Sequence, residues 1–101
     1  MYQPDNWVIL EITNKGEKTY KVLAGWSGGY LDGDFWQLNS GITKVENGGD
    51  FYLFHGHSGS VYKCHKNSET VRMNIAGILN QILEQYPKHI KEVSVEEIDV
   101  Q

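Results

Sequence analysis

Turn signals recur at intervals of roughly eight to twelve residues through the first two-thirds of the chain, and then stop. Asn14-Lys15-Gly16, Asp32-Gly33, Asn39-Ser40-Gly41, Asn47-Gly48-Gly49-Asp50 and Ser58-Gly59-Ser60 mark them. Short runs rich in β-branched and aromatic residues lie between the turns: Trp7 to Ile12, Tyr20 to Ala24, Phe35 to Leu38, Ile42 to Glu46, Phe51 to Phe54 and Val61 to Cys64. Asn14-Lys15-Gly16-Glu17 predicts a hairpin in which Gly16 takes a positive φ. The connection from Gly25 to Asp34 is dense in glycine and carries Trp26 and Tyr30. A chain punctuated this often has no room for long helices over residues 1–66, which are expected to form about six strands.

Beyond that point the apolar period lengthens. Val71, Ile75, Ile78, Leu79, Ile82 and Tyr86 fall on one helical face, and Pro87 ends the pattern. Asn67 or Ser68 is placed to cap a helix over 69–86, and Glu69 suits the positive end of its dipole. Met73, Ala76 and Leu83 widen the stripe, which fits either a helix covering the sheet or one that also packs on a second subunit. Val93, Val95 and Ile98 alternate with acidic residues over 92–100, as an edge strand or a frayed arm. The expected architecture is one α+β domain over 1–101. It has a bent antiparallel sheet or small barrel of about six strands, one C-terminal amphipathic helix and a short last strand.

Charge and cysteine usage narrow the functional classes. Nine basic residues against thirteen acidic ones give a formal charge of −4. A net-acidic chain with a single arginine is poorly suited to duplex nucleic acid, where phosphate neutralisation carries most of the affinity. No apolar run reaches the roughly 18 residues of a membrane span. The N-terminus lacks a basic region followed by an apolar stretch, so no secretory signal is expected. Cys64 is the only cysteine, which excludes an internal disulfide and points to a reducing compartment, the cytoplasm.

No pattern calls for catalysis. Cys64 and His65 are adjacent, and neighbouring strand residues face opposite ways, so they do not form a nucleophile–base pair locally. His55 and His57 with Cys64 or His65 are the best zinc candidates, without the spacing of an established motif. Asp32-Gly33-Asp34 reads as a hairpin turn in preference to a divalent-ion site. The glycines of Gly25 to Gly33 lack the strand–glycine–helix context of a phosphate loop. No cofactor is implied.

Ligand binding is better supported. Arg72, the chain's only arginine, is placed in the first turn of the helix, where it opposes the macrodipole unless it serves an anion or pairs with Glu69. Free N–H groups at a helix start suit phosphate, and Asn74, Lys63 and Lys66 are near in sequence. Trp36-Gln37-Leu38-Asn39-Ser40 and Ser58-Gly59-Ser60-Val61-Tyr62 offer a ring for stacking, Trp36 or Tyr62, together with amides and hydroxyls. The candidate ligand-binding residues are Trp36, Gln37, Asn39, Tyr62, Lys63, Arg72 and Asn74.

Three stretches also carry a resemblance. Gly25-Trp26-Ser27-Gly28-Gly29-Tyr30-Leu31-Asp32-Gly33-Asp34, Trp36-Gln37-Leu38-Asn39-Ser40-Gly41-Ile42 and Ser58-Gly59-Ser60-Val61-Tyr62-Lys63-Cys64-His65-Lys66 look like short phage proteins. Among characterised families, the region from Trp26 to Asn80 resembles the first family of Thoeris anti-defence proteins. The resemblance implies an N-terminal antiparallel sheet with C-terminal helices, a homodimer or larger assembly, and residence in the infected bacterial cytoplasm. It also implies sequestration, without turnover, of a cyclic ADP-ribose-type signal. In that family an arginine follows the strand aromatic; here the position holds Gln37, which removes one charged clamp on the pyrophosphate. The strand aromatic corresponds to Tyr62, and the helix-region contacts to Arg72 and Asn74. The alternative is a small β-rich protein-interaction module that inhibits a host protein through its acidic surface. A weaker third reading is a metal-dependent nucleotide hydrolase using Asp32, Asp34 and the histidines.

Overall fold

Trp7-Val8-Ile9-Leu10 is apolar at every position, and the structure shows why: the strand is covered on both faces. In the computed structural model, which describes residues 1–28 and 33–98, β1 (Asn6–Asn14) lies inside a four-stranded antiparallel sheet. Its neighbours are β2 (Glu17–Ser27) and a late strand, and β3 (Asp34–Leu38) lies beyond β2. Trp7 and Ile9 point to one side with Val22 and Ala24 of β2; Val8 and Leu10 point to the other with Leu23. The Gly29-Tyr30-Leu31-Asp32 portion of the glycine-dense connection and the Asp99–Val100 end of the tail lie outside the described residues.

A second, three-stranded antiparallel sheet follows, with β4 (Ile42–Asn47), β5 (Phe51–Gly56) and β6 (Val61–His65) in sequence order. Ile42, Phe54, Tyr62 and Cys64 from its inner face join Trp7, Ile9, Tyr20, Val22 and Ala24 in one buried cluster between the sheets. The expected six N-terminal strands are therefore present. They form two open sheets facing one another; neither closes into a barrel. The predicted turns at Asn14-Lys15-Gly16, Asn47-Gly48-Gly49-Asp50 and Ser58-Gly59-Ser60 join paired strands. The β1–β2 hairpin turns through Lys15 and Gly16, both at positive φ (52° and 82°), the type I′ geometry that follows the right-handed strand twist.

The helix, α1 (Met73–Gln85), covers the opposite face of the four-stranded sheet, with Ile75 and Leu79 buried against Val8, Leu10 and Leu23. Ile78, Ile82 and Leu83 pack partly on the same cluster, so most of the wide apolar stripe is used by the chain's own sheet. The helix begins four residues later than the apolar period suggests. Glu69 bridges to Trp7, and the Thr70 carbonyl accepts a hydrogen bond from Asn6 Nδ2 at 3.3 Å, which holds this segment against β1. Asn67 and Ser68 lie in a short 3-10 turn, and Arg72 occupies the N-cap instead of the first helical turn. Pro87 follows the last helical residue by two positions, as expected.

The last strand, β7 (Ile90–Val93), pairs antiparallel with β1 from Ile12↔Ile90 to Ile9↔Val93. It lies earlier than the expected span of 92–100, because a 3-10 turn at Val95–Glu97 ends the alternation; Ser94 N–H donates to Glu97 Oε2 at 2.9 Å there. The result is three layers: helix, four-stranded sheet, three-stranded sheet. Among the described residues no helix is long and apolar enough to cross a membrane.

Candidate functional site

The candidate residues separate into three places. Trp36 and Gln37 are neighbours on β3 and project to opposite faces. Trp36 pairs with Gly25, whose α-carbon faces Asn74 of the helix, whereas Gln37 pairs with Ala24 of the inter-sheet cluster. Asn39 is buried (3% exposed) and closes the strand: its N–H donates to the Val22 carbonyl at 3.0 Å, and its Oδ1 accepts from Val22 N–H at 2.8 Å. Its Nδ2 is buried with no partner among the described residues.

The Asn74 side chain is buried and turned toward β1. Its amide and that of Asn6 exchange two hydrogen bonds, of 2.9 and 2.6 Å, beneath Gly25, where an added Cβ would lie 2.6 Å from Asn74 Oδ1. Arg72 is exposed at the helix start and makes no ion pair or side-chain hydrogen bond among the described residues, Glu69 included. Tyr62 is 1% exposed and stacks on Tyr2 with ring centroids 4.9 Å apart. Burial, first of all, pushes its hydroxyl above the ordinary phenol range. Its ring is part of the core and offers no open face to a base.

The metal candidates also disperse. Cys64 faces the inter-sheet core, where burial pushes its thiol up, while His55 is bonded to Glu46 at 2.6 Å. That bond, with Lys44 at 3.5 Å from the same carboxylate, holds Glu46 below the usual carboxylate range. His57 is exposed in the β5–β6 turn. No group of three His, Cys, Asp or Glu able to hold a metal is assembled among the described residues.

Lys63 is the candidate that sits in a recess. Tyr62 and Cys64 point inward, so Lys63 and His65 project from the outer face of β6, across from Leu53 and Phe51 of β5. Lys63 Nζ lies 4.5 Å from the Phe51 ring centroid, and the His65 ring meets Phe51 edge-on at 6.3 Å. Phe51 itself folds back over Gly48, where any Cβ would collide with its ring. At the end of β6, Lys66 Nζ donates to Asn47 Oδ1 at 2.8 Å and lies 4.7 Å from the Tyr52 ring centroid.

Phe51, Lys63, His65 and Lys66, with Gly49, Asp50 and Asn67, line an open depression of about 550 Å³. Two lysines and a histidine face a single carboxylate there, a locally basic site on a protein of net charge −4. An ammonium resting on a ring is attracted by its quadrupole yet keeps its protons for an acceptor. The Lys63 ammonium makes no hydrogen bond or ion pair among the described residues, so its donors are available to phosphate oxygens.

Phe51 was not foreseen, and His65 and Asn67 were read as a zinc candidate and a helix cap instead of ligand contacts. The signal was present in the Ser58-Gly59-Ser60 turn: the register it sets places Phe51 opposite His65, diagonal to Lys63 on the same face. Comparison with known protein families, with characterised proteins and with solved structures gave no match.

Proposed function

We propose that the chain is a non-catalytic binding protein that holds a small phosphorylated nucleotide in the depression at the end of β5 and β6. The observation that carries this reading is the placement of Lys63 over Phe51 beside His65 and Lys66, a basic recess in an acidic protein. In this reading Lys63 and Lys66 take phosphate, His65 offers a flat surface to a base, and Asp50 and Asn67 serve hydroxyl or amide groups.

The resemblance noted above names the ligand class to test first: cyclic ADP-ribose-type or other cyclic nucleotide signals, bound so as to block antiviral signalling in an infected bacterium. Sequestration requires affinity and abundance, not chemistry.

The test is a thermal-shift panel with ADP-ribose, its cyclic and glyco-cyclic isomers, NAD and cyclic oligonucleotides. A rise of several degrees with one species, which is then recovered intact after heat denaturation, supports the proposal. Lys63→Ala is expected to weaken that binding about 10- to 100-fold, the worth of a hydrogen bond to a charged group. A flat response across the panel favours the protein-interaction reading, and conversion of the bound nucleotide contradicts a non-catalytic role.

A further inference from the structure

Each of the two sheets has two edges, and three of the four are protected against strand addition. β7 is short and carries Lys91 and Glu92. β4 carries Lys44 and Glu46 and breaks register between Ile42 and Lys44. The outer side of β6 is occupied by the N-terminal segment, where Tyr2 N–H donates to the Val61 carbonyl at 2.9 Å and Lys63 N–H to the Tyr2 carbonyl at 2.7 Å. Charge, irregularity and coverage are the usual devices for blunting an edge.

β3 has no register break and a single charge, Asp34. Its sequence is Asp-Phe-Trp-Gln-Leu, its only charge is at one end, and nothing among the described residues pairs with its outer side. Phe35 is 47% and Trp36 45% exposed, one on each face.

The hydrogen-bond phase of this edge is fixed by Asn39. Because Asn39 and Val22 are a bonded pair, alternation directs the backbone groups of Gln37 and Phe35 toward β2 and those of Leu38, Trp36 and Asp34 outward. The outward set is centred on Trp36. A second β3 related by a twofold axis through Trp36 therefore satisfies every outward group, with Trp36 opposite Trp36 and Asp34 opposite Leu38, through about six hydrogen bonds. In this register the lone carboxylate meets leucine instead of its own copy. Each Phe35 meets Gln37 of the other chain, and the two indoles meet on the helix side.

We infer that β3 is a self-pairing edge and that two copies of this chain join there, antiparallel about Trp36, to form one continuous eight-stranded sheet. The occupant is a second copy because spacing, backbone phase and charge all match when the strand meets itself. The interface is independent of the basic depression, which lies on the outer face of the other sheet.

Two experiments on the full chain test the inference. Sedimentation equilibrium at tens to hundreds of micromolar is expected to give about twice the 11.5 kDa chain mass. Trp36→Lys, a change outside both buried clusters, is expected to give the monomer mass with an unchanged circular dichroism spectrum. The register is read independently by mixing a Phe35→Cys chain with a Gln37→Cys chain under mild oxidation. Those positions face one another as a non-bonded pair about 4.5 Å apart between α-carbons, within disulfide reach, so a mixed disulfide dimer should predominate over either self-linked form. A wild-type monomer throughout that range overturns the inference. So does a dimer that survives Trp36→Lys and gives no mixed disulfide.

Discussion

Asn6 and Asn74 are 68 positions apart, and their exchange of two hydrogen bonds ties the start of β1 to the start of the helix. Asn74→Ala leaves the Asn6 amide largely unsatisfied in a buried setting and is expected to cost about 1–3 kcal/mol in urea unfolding. Gly25→Ala drives a methyl into the same pair and should cost a comparable amount. Neither change should alter nucleotide affinity, since neither residue lines the depression. This is where sequence reading of the site fell short. A polar residue at a predicted helix start resembles a ligand contact; its burial depends on a partner at the other end of the chain, which periodicity does not reveal. Tyr62 misled for a related reason, since Tyr2 and the inter-sheet core cover its ring.

Local patterns carried far more of the architecture. The six early strands were legible because each turn has its own chemistry, and the β1–β2 hairpin formed where Lys15-Gly16 demanded it. That turn is also improvable. Lys15 holds φ at 52°, a region Asn tolerates better, so Lys15→Asn is expected to raise unfolding stability by about 0.5–1 kcal/mol without changing the oligomeric state. The late helix start was not legible, because Glu69 and Thr70 are drawn out of the helix by long-range contacts with Trp7 and Asn6. Glu69 bears the cost of that position: burial, then Glu96 and Glu92, raise its carboxyl above the usual range. A raised acid destabilises the fold once ionised, so this cost is absent at low pH and grows as pH rises toward neutrality. Glu69→Gln should accordingly raise the melting temperature at pH 7 and leave it nearly unchanged at pH 4.

The helix, with Arg72 at its N-cap, and the three-stranded sheet, with Lys63 on its outer face, pack on opposite faces of the four-stranded sheet. The lining of the basic depression includes Lys63, Phe51, His65 and Lys66 but not Arg72. On the same outer face, Glu46 has the opposite sign to Glu69. Its lowered carboxyl, held chiefly by His55, contributes stability above about pH 4.5 that is lost as acid protonates it. Glu46→Gln should flatten the acid limb of the stability profile, read as melting temperature between pH 3 and 6.

The most direct measurement is a backbone-amide NMR titration of the whole chain with ADP-ribose and with its cyclic isomer. Binding in the depression predicts shifts concentrated on Gly49–Phe51 and Lys63–Asn67, abolished in a Lys63→Ala, Lys66→Ala double variant. Shifts centred on Trp36, Arg72 and the helix start, or no shift with either nucleotide, would contradict it.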